Sequence, residues 1–181
     1  MYINSTALLL CALLGLSQCS KKDYSLPSST NNLPLATQTG AGTFGCLLDG
    51  QEWIPSGNNG RPNLQVTYDP GYSNGALQIK VYRYTGPGRS ILQAITIGAA
   101  AVNAPSVYPF SLAGTNGVYY SDYGRPAGCT YYGGQTQSFR TGTMTITRFD
   151  SGVVSGTFTF QLGQPGCDTI KVTQGRFDAN F

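Results

Sequence analysis

From Thr43 onward, apolar residues recur at every second position. Leu64, Val66 and Tyr68 alternate with Gln65, Thr67 and Asp69. Leu77, Ile79 and Val81 alternate with Gln78, Lys80 and Tyr82, and Ile91, Ile95 and Ile97 line one side of 90–97, where Gln93 interrupts the apolar face. Farther on, Met144 and Ile146 oppose Thr143, Thr145 and Thr147. Phe158, Phe160 and Leu162 oppose Thr157, Thr159 and Gln161, and Ile170 and Val172 oppose Thr169, Lys171 and Thr173. Side chains along a strand point to opposite faces in turn, so this pattern predicts antiparallel strands with one buried and one solvated side. Turn residues fall between the runs. Asp49-Gly50 suits a type I′ hairpin between 43–48 and 51–54, because glycine tolerates positive φ. Ser73-Asn74-Gly75 separates the next pair, and Asp150-Ser151-Gly152 fits a three-residue hairpin loop with a left-handed glycine. Gly163-Gln164-Pro165-Gly166 closes the following hairpin, so 141–181 reads as a three-strand meander. The expected fold of 43–181 is one all-β domain, an antiparallel β-sandwich or barrel.

The first nineteen residues follow another rule. An apolar run from Ala7 to Leu16 is closed by Leu16-Ser17-Gln18-Cys19. Ten apolar residues match a signal-peptide core and fall short of the ~20 needed to span a bilayer. The run and its Leu-x-x-Cys box resemble a bacterial lipoprotein signal, although Met1 to Thr6 holds no Lys or Arg. That resemblance implies a signal at 1–18 and a diacylglycerol on Cys19. The serine after it fits onward transport to the outer membrane, on its periplasmic or surface face. Residues 19–42 are the lipidated N-terminus and its continuation. Rich in Ser, Asn, Thr, Pro and Gly without apolar period, they are expected to form a flexible tether with a reach of about 25 Å. Lys21-Lys22 sits where anionic lipid would attract it.

Composition sharpens this picture. About 140 residues after the tether suffice for one domain with its own core. Charged residues are 10% of the chain against ~25% in ordinary domains, while Gly (24), Tyr (12) and Phe (8) are abundant. The net charge of +3 comes from eleven scattered basic residues, without the clustered basic face a nucleic-acid partner requires. Of five cysteines, Cys11 leaves with the signal and Cys19 takes lipid. Cys46, Cys129 and Cys167 remain in a compartment that permits disulfides. Cys46 lies on the first strand and Cys167 just before the last, and such strands are often neighbours. The expected bridge is Cys46–Cys167, with Cys129 free.

Two segments carry a family resemblance. Thr43-Phe44-Gly45-Cys46-Leu47-Leu48-Asp49-Gly50-Gln51-Glu52-Trp53-Ile54-Pro55 opens the domain, and Gly156-Thr157-Phe158-Thr159-Phe160 with Ile170 to Asp178 closes it. They resemble an uncharacterised envelope lipoprotein family of Bacteroidota, with an F-x-C-x-x-(N/D)-G start and a G-T-F-x-F … I-x-V-T-x-G-x-F-D end. The resemblance implies an all-β envelope lipoprotein and supplies no activity. Asp168-Thr169-Ile170 likewise resembles the Asp-(Ser/Thr)-apolar acceptor of O-glycosylation in Bacteroidota envelope proteins, which implies a glycan on Thr169.

Catalytic chemistry has few parts to draw on. The chain has no histidine, which excludes Ser-His-Asp and Cys-His arrangements and disfavours a zinc site. Glu52 is the only glutamate, and Asp49 beside it suits a turn. No calcium-loop or phosphate-loop pattern is present. No cofactor or metal is expected, and the protein reads as a non-enzyme. Val107–Gly134 is the distinctive stretch: six of the twelve tyrosines fall there, with Asp122 and Arg125 among them. Tyr119, Tyr120, Tyr123, Tyr131 and Tyr132 are the candidate ligand surface, since tyrosine offers large contact area, a polar tip and little rotamer entropy. The alternative is that adjacent pairs place one ring inward and one outward. Trp53 reads as core. The expected function is a non-catalytic binding module for a glycan or an envelope protein, attached to the membrane through its lipid. A structural or accessory lipoprotein without a ligand site is the alternative.

Overall fold

The strands among the described residues are β1 (Thr43–Leu48), β2 (Gln51–Trp53), β3 (Leu64–Asp69), β4 (Ala76–Thr85), β5 (Ile91–Ala99), β6 (Ser106–Phe110), β7 (Gly117–Asp122), β8 (Phe139–Asp150), β9 (Val153–Gly163) and β10 (Ile170–Asn180), with β6 and β7 falling where the sequence marked no alternating run. They belong to a computed structural model that describes residues 32–127, 129–132 and 137–181. The signal run and Cys19 lie outside those residues. One antiparallel sheet has the order β2-β1-β10-β9-β8-β6, the other β3-β4-β5-β7. The two pack face to face without closing, so the fold is a sandwich and not a barrel. The meander over 141–181 is present as β8-β9-β10.

The inward positions are those the period picks out. Ile79, Ile95, Met144 and Ile170 have no exposed surface, and Phe158, Phe160 and Leu162 are buried beside them. Phe44 stacks on Phe158 at 5.0 Å and meets Trp53 edge-on. Burying each such side chain contributes about 2 kcal/mol. Trp53 is core, as its setting before Pro55 suggests. Two departures from strict alternation matter. β10 is bulged between Val172 and Gly175, with Gln174 at φ 52°, and β8 is bulged between Ile146 and Arg148. An extra residue flips the parity beyond it. Phe177 thereby turns inward, and Asp178 and Arg148 turn to the outer face.

The first predicted hairpin turn forms. Asp49 (φ 49°) and Gly50 (φ 81°) make the expected type I′ geometry. The Asp150–Gly152 loop is tighter than predicted. Asp150 pairs directly with Val153, leaving a two-residue turn with Ser151 at φ 48° and Gly152 at φ 77°. Serine is a poor left-handed residue, whereas asparagine is favoured at this turn position. Ser151→Asn is expected to raise Tm by about 2 °C in a thermal melt. An unchanged or lower Tm would contradict this turn geometry.

Two expectations need correction. The first is the tether over 19–42, of which 32–42 lie among the described residues. Residues 32–42 pack along the outer face of β1 and β10. Leu33 is buried, Asn32 N donates to Glu52 Oε1 at 2.7 Å, and Arg176 donates to Pro34 O. Gly45 lies beneath, where an added Cβ would stand 2.7 Å from Pro34 Cδ. Asp178 holds the segment from below, accepting from Thr37 Oγ1, Thr39 N, Gly40 N and Ala41 N, and from Ser155 Oγ on β9. Polar composition hid this because backbone amides and hydroxyls, not apolar side chains, make most of the contacts. The second correction is the bridge. Cys129 pairs with Cys167, and Cys46 is free and buried. Cys46 points into the core from β1, beside Trp53 on β2. Cys167 sits in the β9–β10 loop at the end of the sandwich, within reach of the loop after β7.

Candidate functional site

At one end of the sandwich meet the β1–β2 turn, the β9–β10 loop and the described parts (123–127, 129–132 and 137–138) of the long β7–β8 connection. Connections above about 12–15 residues without elements of their own are uncommon in compact domains and often functional. Three devices brace this one. The Cys129–Cys167 disulfide ties it to the β9–β10 loop. Arg125 reaches Asp122 and Asp168 at 3.6 Å and Asp49 at 3.8 Å, so one guanidinium joins the ends of three connections. Tyr131 donates its N–H to Tyr120 O at 2.9 Å and its hydroxyl to Asp168 O.

Beneath the loop lies a buried polar network centred on Gln93, the residue that breaks the apolar face of β5. Gln93 Oε1 accepts from Trp53 Nε1 at 3.1 Å and from Arg83 Nε at 2.7 Å. Its Nε2 donates to Asp122 Oδ2 at 2.7 Å, which also accepts the Tyr120 hydroxyl at 3.1 Å. Arg83 donates to Glu52 O and lies 5.3 Å above the Trp53 ring. The network satisfies each of its own buried groups, as low-dielectric surroundings demand. Burial and the neighbouring Asp122 carboxylate push the Tyr120 hydroxyl well above its ordinary range. Burial also raises the Tyr131 hydroxyl, against the pull of Arg125. Both are therefore neutral hydrogen-bond donors at physiological pH. Cys46 is pushed up to about 12, by burial outweighing the attraction of Arg83, so its thiol stays protonated and inert.

The five candidate tyrosines divide. Tyr120 (0% exposed) and Tyr131 (2%) are buried; they are struts of the brace and not a ligand surface. Tyr123 (71%) and Tyr132 (56%) are exposed. Tyr119 is half-buried, its ring 5.9 Å from that of Tyr132 and 4.6 Å from the Arg140 guanidinium. Arg140 occupies an inward position of β8, donates to Tyr132 O and Ser111 O, and is 8% exposed. Gly117 makes room for it: a Cβ there would stand 3.0 Å from Arg140 Nη1. Thr169, the expected glycan acceptor, is exposed just before β10. Sequence reasoning missed Gln93, Arg83 and Arg140 as organising residues. Gln93 left a signal as the polar break in an apolar face, and Arg140 left another as the charged member of the inward set Arg140, Met144, Ile146.

Among the described residues, no group of three or more Cys, Asp or Glu side chains is placed to hold a metal ion. No protein-family model, curated protein or solved structure matches the chain.

Proposed function

We propose that the protein is a non-catalytic binding module, held on the outer membrane by a lipid at Cys19, that engages a glycan or protein ligand through Tyr123 and Tyr132 at the tip. The observation carrying this reading is the division of labour at the tip. Tyr120, Tyr131, Arg125 and the disulfide are spent on rigidity, while Tyr123 and Tyr132 stand 71% and 56% exposed on the braced backbone. Rigid aromatic side chains lose little entropy on binding, and loops at one end of a sandwich are a common recognition site. The lipid anchor rests on the Ala7–Cys19 pattern alone.

The test uses the full chain in detergent, on a glycan array and in pull-downs from its native envelope, with Tyr123→Ala/Tyr132→Ala alongside. Both side chains are exposed, so Tm should move by less than about 2 °C while binding falls at least tenfold. Equal binding by the double variant, or no ligand in either format, would leave the structural-lipoprotein alternative standing.

A further inference from the structure

A sandwich of two open sheets has four edge strands, and among the described residues three of these are short, interrupted by proline or already partly paired. β2 is three residues long. β6 carries Pro109, which has no N–H to offer. β7 is already met by Tyr131, whose N–H donates to Tyr120 O. The fourth, β3, has six residues and contains no proline, lysine or bulge, which are the usual devices against edge pairing.

The register shows which groups β3 leaves unpaired among the described residues. Tyr82 N donates to Asn63 O, and Leu64 opposes Val81. The hydrogen-bonded rungs toward β4 therefore fall on odd-numbered residues from Asn63 onward, and Leu64, Val66 and Tyr68 turn their N–H and C=O groups away from β4. Leu64 and Val66 line a cleft of about 690 Å³ beside this edge. Its other walls include Asn58, Asn63, Asn180 and Arg61, and no acidic residue. The Arg61 guanidinium makes no hydrogen bond or ion pair among the described residues. The 57–63 loop holding it is nevertheless built: Asn63 Nδ2 donates to Gly57 O, Asn58 and Asn59 cap the amides of Gly60 and Arg61, and the Tyr82 hydroxyl donates to Arg61 O.

We propose that this cleft is a second binding site, distinct from the tyrosine tip, which takes an extended acidic peptide segment of a partner protein as an added strand beside β3. Main-chain pairing to Leu64 and Val66 supplies affinity. An Asp or Glu of the peptide placed against Arg61 supplies orientation, since Asp69 at the far end of β3 repels an acid there.

Fluorescein-labelled Asp-Val-Thr-Val-Thr-Val and its Lys-Val-Thr-Val-Thr-Val counterpart test this with the full chain in detergent, by anisotropy. The acidic peptide should bind at least tenfold more tightly than the basic one, and Arg61→Gln should remove most of that difference. Val66→Pro deletes an outward N–H without touching a rung to β4, and should abolish binding. If that variant fails to fold, hydrogen exchange on the wild type decides: saturating peptide should slow the Leu64 and Val66 amides at least tenfold. Equal binding of both peptides, unchanged exchange at Leu64 and Val66, or displacement of the peptide by dextran would overturn the proposal. The tip reading is tested separately at Tyr123 and Tyr132, so either can fail alone.

Discussion

Asp178→Asn is expected to lower stability by about 3 kcal/mol, and Tm by about 6–12 °C. Asp178 is 1% exposed. It accepts from Thr37 Oγ1 and Ser155 Oγ at 2.6 Å, Gly40 N at 2.8 Å, Thr39 N at 2.9 Å and Ala41 N at 3.2 Å. Hydrogen bonds to a charged acceptor contribute more than neutral ones. Asparagine would turn an NH2 group toward donors and strand several of them. The same contacts set a pH dependence. Burial alone would raise the Asp178 pKa, but the donors from Ser155, Thr37, Thr39 and Gly40 outweigh it and hold the carboxyl far below the usual carboxylate range. Because the folded value is depressed, this stabilisation is complete above the unfolded value of about 4 and is withdrawn as pH falls below it. Urea unfolding at pH 7, 4 and 3 should show wild-type stability falling more steeply in the acid range than that of Asp178→Asn. Parallel pH profiles would refute the assignment. Release of residues 32–42 in the variant should also appear as faster exchange of the Thr39, Gly40 and Ala41 amides.

Cys129→Ser/Cys167→Ser should cost about 4 kcal/mol, the chain-entropy value for a bridge of this span. The cysteines are 38 residues apart, and Tm should fall by about 10 °C. A further loss should be local: without the bridge, Arg125 and Tyr131 must hold the β7–β8 connection to the β9–β10 loop alone. Ligand binding at the tip should therefore weaken more than the global stability accounts for at 25 °C. Nonreducing peptide mapping checks the pairing, and a peptide joining Cys46 to Cys167 would sink it. Iodoacetamide at pH 8 should leave Cys46 unlabelled in the native protein and label it after denaturation, since its thiol is buried with a pKa pushed up to about 12.

Much of the architecture was legible along the chain. Alternation is a local property: it follows from the two-residue repeat of a strand and from which face meets the core. Hence the inward sets Leu77, Ile79, Val81 and Phe158, Phe160, Leu162, the Asp49-Gly50 turn, the C-terminal meander and the core position of Trp53 could be read without coordinates. Three things could not. Whether two sheets face each other or close into a barrel depends on sheet order, which no local pattern encodes. Bulges insert one residue and invert every side chain beyond them, so Asp178 passed as part of an ordinary strand end instead of the clasp for residues 32–42. The partners of isolated polar groups are set by distance in space. Gln93 and Arg125 join residues from separate strands and loops, and Cys129 finds Cys167 where two loops converge. Period and turn chemistry determined most strands and their faces, β6 and β7 excepted; only the packing decided which tyrosines brace the tip, which are displayed, and which edge stays unpaired among the described residues.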